Sequence, residues 1–264
     1  MQVHHSHSLT FHVDLAPRPG RAAIVFINSL GTDFRIWDDV VASLGERFTV
    51  LRYDKRGHGL SDVGPATGAI ADHARDLAAI MDGAGITRAV VCGVSIGGMI
   101  AQALHAARPD LVAGLVLSNT AHRIGTPEFW AARIAAIEAQ GLDGIADGVM
   151  QRWFSPSFCE RHPHLVRLYR AMMARTPQTG YVAACAAIRD ADLTEAARGI
   201  SVPTLCLAGG HDGATPPDLV KSLADLIPGA RYELLPDCAH LPSIERPDIV
   251  ADRVEALTKE VFRV

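Results

Sequence analysis

The chain has 264 residues, of which 48% are hydrophobic and 20% are charged, and its formal net charge at pH 7 is -4. This length fits one large domain or a core with an insertion, and the composition is typical of a globular enzyme. The lack of a basic excess argues against nucleic acid as a partner. No apolar run in the sequence is long enough to span a bilayer, so no membrane partner is expected.

The cysteines and the N-terminal residues indicate where the chain works. The five cysteines follow neither a metal-binding nor a disulfide spacing. The N-terminus lacks the basic and apolar segments of a secretory signal, so we expect a cytoplasmic protein. Histidines are frequent near the start, but the alternation over residues 8–13 is more typical of an edge strand with polar residues facing outward. We therefore predict no metal site there.

Short apolar runs alternate with amphipathic segments over residues 1–121 and again over 198–264. This alternation is typical of a mostly parallel sheet with helices on both faces. The predicted strands cover residues 22–27, 48–53, 90–92, 111–117, 203–208 and 231–235. The predicted helices cover residues 37–44, 70–83, 97–107, 216–226 and 247–261.

Residues 122–197 interrupt the alternation, because they are helical in character almost throughout. The predicted helices of this stretch cover residues 128–140, 144–153, 165–176 and 180–189. An all-helical block inserted into an α/β chain is expected to form a lid or cap. We therefore predict a core of residues 1–121 and 198–264 and an inserted helical cap of residues 122–197.

The pentapeptide Gly93-Val94-Ser95-Ile96-Gly97 lies between a predicted strand and an alanine-rich predicted helix. Gly-x-Ser-x-Gly in this setting is typical of a tight turn that exposes a nucleophilic serine. The turn strains the serine backbone and leaves no space for side chains on either side, which explains the glycines. Ser95 is therefore the predicted nucleophile, and a plain glycine-rich turn is the alternative.

A serine nucleophile needs a base to take its proton and a third group to orient that base. Asp212 and His240 each follow a predicted strand, at the edge where ligand sites collect in open parallel sheets. The order Ser, Asp, His along the chain is the order found in α/β-hydrolases. The alternatives are an N-cap role for Asp212, a turn role for His240, and Asp237 as the acid, although Asp237 is too close to His240 in sequence.

The tetrahedral intermediate of such a reaction needs donors for its negatively charged oxygen. One predicted donor is the backbone N–H of Ile96, directly after the nucleophile. The second is expected in the loop after the strand at 22–27, where we predict the N–H of Leu30. The hydroxyl of Ser29 is a further candidate, and an ordinary strand-to-helix loop is the alternative.

Three further segments match motifs of a known superfamily. Residues 54–61 (DKRGHGLS) resemble its D-x-R-G-H-G-x-S loop, in which the histidine, here His58, is usually structural. Residues 210–216 (GHDGATP) resemble its acid-bearing loop, and residues 239–247 (AHLPSIERP) resemble its histidine loop. The whole chain thus resembles the α/β-hydrolase superfamily, which implies a mostly parallel sheet flanked by helices and a serine hydrolase mechanism.

The segment at 28–38 (NSLGTDFRIWD) narrows this resemblance. It has Asn-Ser where most relatives have His-Gly, and with residues 51–54 (LRYD) and 92–95 (CGVS) it resembles the 3-oxoadipate enol-lactonases of protocatechuate degradation. Val-Ser-Ile in the turn around Ser95, which we call the elbow (residues 93–97), is a mild departure from their expected Leu-Ser-Met. The resemblance implies hydrolysis of 3-oxoadipate enol-lactone to 3-oxoadipate through an acyl-enzyme, without a metal or organic cofactor.

The implied substrate is an anionic lactone, whose carboxylate needs a cation or several donors in a closed pocket. Among the cap arginines we predict Arg133 for this role, because it lies in an otherwise apolar stretch. Trp130 and Trp153 are predicted to line the pocket. The alternatives are a solvated or ion-paired Arg133, and tryptophans that only pack the cap on the core.

Other functions remain open on these residues. A carboxylesterase, a carbon–carbon bond hydrolase and a cofactor-free perhydrolase would share the same triad. A haloalkane dehalogenase or an epoxide hydrolase would carry Asp in place of Ser95. A ligand receptor on a hydrolase fold is the non-enzymatic alternative, and the complete triad argues against it. The sequence indicates no oligomeric state.

Overall fold

A mostly parallel, eight-stranded sheet forms the centre of the computed structural model, which describes residues 1–66 and 68–263. The strands are β1 (Gln2–Ser6), β2 (Leu9–Ala16), β3 (Ala23–Ile27), β4 (Thr49–Tyr53), β5 (Ala89–Val94), β6 (Val112–Ser118), β7 (Thr204–Gly209) and β8 (Arg231–Leu235). Their order in the sheet is β1-β2-β4-β3-β5-β6-β7-β8. β2 is antiparallel to both β1 and β4, and the remaining neighbours are parallel. The predicted fold class is confirmed.

The helices flank this sheet and bury its central strands. They are α1 (Asp38–Leu44), α2 (Ile70–Gly83), α3 (Ile96–Ala107), α4 (Pro127–Trp153), α5 (Pro156–Arg161), α6 (Pro163–Ala174), α7 (Gln178–Arg189), α8 (Thr194–Arg198), α9 (Pro217–Leu226), α10 (Pro242–Glu245) and α11 (Pro247–Phe262). α2 packs against α3, and α1 packs against α11. α3 is apolar on nearly all sides because it lies between the sheet and α2.

Helices α4 to α8 lie between β6 and β7, and we call residues 127–198 the helical insertion. α4 packs against α6 and α7. It is broken at Gly141, whose φ of 70° is not helical, so the two helices predicted over 128–140 and 144–153 correspond to its two halves. The insertion coincides closely with the predicted cap, whose status as a separate unit remains a prediction.

The prediction of an edge strand over residues 8–13 was wrong in its position. Residues Leu9–Ala16 do form a strand, but β1 (Gln2–Ser6) pairs with its outer side and is the edge of the sheet. The sequence of β1 is polar and exposed, so it carries no alternating apolar pattern. None of the described helices combines the length and the apolar character needed to cross a lipid bilayer.

Candidate active site

Ser95 lies at the sharp turn between β5 and α3, with φ 59° and ψ -122°. A Cβ atom on Gly93 would lie 2.3 Å from the carbonyl oxygen of Gly97, and one on Gly97 would lie 2.4 Å from that of Ile27. Both positions therefore require glycine. A hydrogen bond helps to hold the strained turn: the carbonyl oxygen of Ser95 accepts from the Thr120 hydroxyl at 2.6 Å.

His240 and Asp212 are in direct contact, each in the loop that follows its strand. The Nδ1 atom of His240 lies 2.8 Å from Oδ2 of Asp212, and both side chains are almost completely buried. Because Nδ1 faces a carboxylate, we assign it the proton, which leaves Nε2 free to accept one. Asp212 also accepts from the hydroxyl of Thr215 at 2.6 Å and from the backbone N–H of Ala214 at 2.7 Å, so its orientation is fixed.

Asn119, the residue after β6, joins the loops on which these side chains lie. Its Nδ2 atom donates to the carbonyl of Ala239 at 2.7 Å, and its Oδ1 atom accepts from the N–H of Gly209 at 2.7 Å. The amide thus connects the end of β7, which precedes Asp212, to the residue before His240. No local pattern singles out Asn119, since its partners are 90 and 120 positions away in the chain.

Ser95 and His240 line a cavity of about 400 Å³. It lies between the carboxyl ends of the parallel strands and the helical insertion. The other predicted site residues that line it are Ser29, Leu30, Trp130, Arg133 and Trp153. Asp212 lies behind His240, and Ile96 begins α3 with its side chain buried. The structure therefore gathers the predicted residues in one place, while their roles remain predictions.

Two arginines of the insertion contribute charge to this cavity. Arg133 donates through Nη2 to the hydroxyl of Tyr181 at 2.5 Å. Arg152 also lines the cavity, and neither arginine forms a salt bridge with an acidic side chain in the described part of the chain. Burial and the charge of Arg133 lower the pKa of Arg152. Burial raises the pKa of Tyr181 to about 12, which keeps the phenol neutral.

Sequence reasoning overlooked Tyr181 and did not choose Arg152. The position of Tyr181 depends on a contact between residues distant in sequence, because a Cβ atom on the neighbouring Gly180 would lie 2.4 Å from the Cα atom of Gly57. This contact brings the start of α7 close to the core and Tyr181 into the cavity. His58 is buried and contacts the carbonyl of Arg56 at 3.2 Å, and it is not among the residues that line the cavity.

Comparisons with known proteins agree with the fold described above. Residues 22–247 match the family with the α/β hydrolase fold. Two proteins of Acinetobacter baylyi, 3-oxoadipate enol-lactonases 1 and 2, are 36% and 33% identical to this chain over 239 residues, which are 90% of this chain and 89% of each relative. The crystal structure of the enol-lactonase from Burkholderia xenovorans LB400 superimposes with a TM-score of 0.93 at 38% identity, covering 97% of this chain and 99% of that one.

The resemblance to the α/β-hydrolases that the motifs indicated is thus confirmed over most of the chain. The strand order of the sheet, the turn at Ser95 and the family match over residues 22–247 all agree with it. The chain belongs to the α/β-hydrolase family, and it is a carboxylic ester hydrolase.

Proposed function

We propose that this hydrolase opens 3-oxoadipate enol-lactone to 3-oxoadipate, with Ser95, His240 and Asp212 as its catalytic triad. The observation that carries the proposal is the cavity that Ser95 and His240 line together with two arginines, neither of which has an acidic partner among the described residues. A buried cation without a counter-charge is costly, and an anionic ligand in the cavity would remove that cost. Similarity to named 3-oxoadipate enol-lactonases supports the choice among anionic lactones.

In the first half of the reaction, Ser95 Oγ attacks the lactone carbonyl while Nε2 of His240 takes the hydroxyl proton. The negative charge moves to the former carbonyl oxygen, where the N–H groups of Leu30 and Ile96 are proposed to bind it. Collapse of this intermediate breaks the ring C–O bond. The leaving oxygen is an enolate, which His240 can protonate, and the acyl group stays on Ser95.

In the second half, a water molecule attacks the acyl carbonyl and gives its proton to His240. Collapse breaks the bond to Ser95 Oγ, which recovers the proton from His240. The product leaves with a new carboxylate, and its enol rearranges to the ketone. Asp212 keeps the imidazole oriented and stabilises its charged form in both halves. These steps use no metal or organic cofactor.

Substrate recognition is assigned to the insertion. Arg133, held by Tyr181, is proposed to bind the substrate carboxylate, and Arg152 supplies a second positive charge in the same cavity. Trp130 donates through Nε1 to the carbonyl of Ile124 at 2.6 Å, which fixes its ring as an apolar wall. Trp153 is proposed to form another part of that wall. The partner is therefore a small anionic lactone.

The proposed location is the cytoplasm. Each of the five cysteines, all within the described part of the chain, is unpaired, and four of them are buried. Thiols that stay reduced are the rule in that compartment.

The test is a spectrophotometric assay with freshly generated enol-lactone beside p-nitrophenyl acetate, a neutral ester. We expect kcat/KM for the lactone to exceed that for the ester, and Ser95→Ala to abolish both activities. Turnover of the ester without the lactone would reject the lactonase and favour a simple carboxylesterase. A fluorophosphonate probe that fails to label Ser95 in the folded protein would reject the serine mechanism itself.

A further inference from the structure

Lys55, in the loop after β4, is an almost completely buried lysine close to the proposed oxyanion hole. Its Nζ atom donates to the carbonyl oxygen of Ser29 at 2.5 Å. It does not line the cavity, so it cannot touch a substrate there. Burial lowers its pKa, although the negative charges of Asp54 and Asp33 oppose that shift. An amine in this environment is costly to bury, so its presence calls for an explanation.

The carbonyl oxygen that Lys55 contacts accepts two further hydrogen bonds, both from Thr32. The hydroxyl of Thr32 donates to the same Ser29 oxygen at 2.9 Å, and the Thr32 backbone N–H donates to it at 3.4 Å. This carbonyl belongs to the peptide unit that ends in the N–H of Leu30. A peptide unit is planar, so fixing the direction of its oxygen also fixes the direction of its N–H.

We propose that Lys55 is a positioning residue for the oxyanion hole, which orients and polarises the Ser29–Leu30 peptide from behind. This inference rests on the proposed function, because the proposed function gives the Leu30 N–H its role as a donor to the oxyanion. Donors on a carbonyl draw electron density from the attached N–H and strengthen it as a donor. A donor already oriented before the reaction needs no reorganisation when charge develops.

A purely structural role makes the opposite prediction for stability. If Lys55 only stabilised the fold, an apolar replacement would lower the melting temperature. In the proposed role, burial of the amine works against folding, and replacing it by an apolar side chain of similar length is neutral or stabilising. The Ser29 carbonyl keeps both Thr32 donors in that variant. Loss of catalysis without loss of stability therefore distinguishes the two roles.

The experiment compares Lys55→Met with the unchanged protein, using p-nitrophenyl acetate so that the result does not depend on the lactone. We expect kcat to fall about 10-fold, less than the loss of a whole oxyanion donor, while KM stays within about 2-fold. An aliphatic trifluoromethyl ketone, which forms a hemiketal oxyanion on the serine, should lose affinity by the same factor as kcat. The melting temperature should stay equal or rise. Lys259→Met, at an exposed lysine of α11, is the matched control and should change none of these quantities.

Thr32→Val is the second variant, and it keeps the test decisive if Lys55→Met does not fold. It removes the hydroxyl donor to the same Ser29 carbonyl with little change in shape, so kcat and ketone affinity should again fall together. Unchanged kcat and ketone affinity in a folded variant would overturn the proposal. So would a fall in the melting temperature with kcat preserved. Failure of the lactone assay would reject the proposed substrate and leave this test intact.

Discussion

The backbone N–H of His240 donates to the carbonyl oxygen of Trp153 at 3.1 Å, so the loop of the proposed base is attached directly to the end of α4. A second connection lies beside it. Glu245 accepts from the N–H of Ala239 at 2.9 Å and from the N–H of Ser155, at the start of α5, at 3.3 Å. The histidine loop and this part of the helical insertion are therefore held as one unit, and the position of the base depends on both.

Replacing Glu245 by Ala should weaken that unit. The buried donors of Ser155 and Ala239 would lose their acceptor, which costs about 1–3 kcal/mol for each group left unpaired. We expect lower stability in urea unfolding and a lower kcat for p-nitrophenyl acetate. Glu245→Gln, which keeps one carbonyl acceptor, should lose less of both. Equal losses in the Ala and Gln variants would contradict this account, because they would point to the charge rather than to the acceptor.

Replacing Arg133 or Arg152 by Met should weaken binding of the anionic lactone selectively. A hydrogen bond to a charged group contributes about 1.5–3 kcal/mol, so KM for the lactone should rise roughly 10- to 100-fold. KM for p-nitrophenyl acetate should stay nearly the same. Arg170→Met is the matched control, because Arg170 lies on the same insertion but pairs with Asp143 and Asp147 at the surface. An equal rise of KM for the neutral ester would show that the arginines only shape the pocket.

Gly93→Ala and Gly148→Ala should change stability in opposite directions. The new Cβ atom at 93 would lie 2.3 Å from the Gly97 carbonyl oxygen, so we expect a loss above about 3 kcal/mol and almost no activity. Gly148 lies exposed on α4 with nothing within 4 Å of its added Cβ atom. Alanine is the better helix former there, by about 0.5–1 kcal/mol. Urea unfolding of the two variants measures both changes in the free energy of unfolding. A stable, active Gly93→Ala variant would contradict the steric explanation for glycine at position 93.

Sequence reasoning singled out Ser95, Asp212 and His240 because each follows a predicted strand within a few residues, which is a local pattern. It failed for residues whose role depends on distant partners. Lys55 meets Ser29 only because β3 and β4 are neighbours in the sheet, and Asn119 reaches Ala239 across 120 positions. No local pattern carries such pairings. The edge strand β1 was missed for another reason, since a polar strand at an exposed edge lacks the apolar alternation that marks buried ones.

The pH dependence of stability should depend on His73, a buried residue of α2. Burial, with the nearby charges of Lys55 and Arg56, lowers its pKa to about 3 from the usual histidine value of 6.5. Between these two values the unfolded chain binds a proton that the folded chain does not. Stability contributed by the neutral ring is therefore present above about pH 6.5 and is lost as the pH falls. The slope for this one group approaches about 1.4 kcal/mol per pH unit.

Urea unfolding at pH 7, 6, 5 and 4.5 measures this slope. His73→Leu should give a flatter dependence than the unchanged protein, because one group that titrates only in the unfolded state has been removed. His58, whose pKa burial also lowers, still contributes in that variant, so some dependence should remain. His164→Leu, the same substitution at an exposed histidine of α6, is the matched control. Parallel curves for His73→Leu and the unchanged protein would mean that His73 takes up its proton in the folded state.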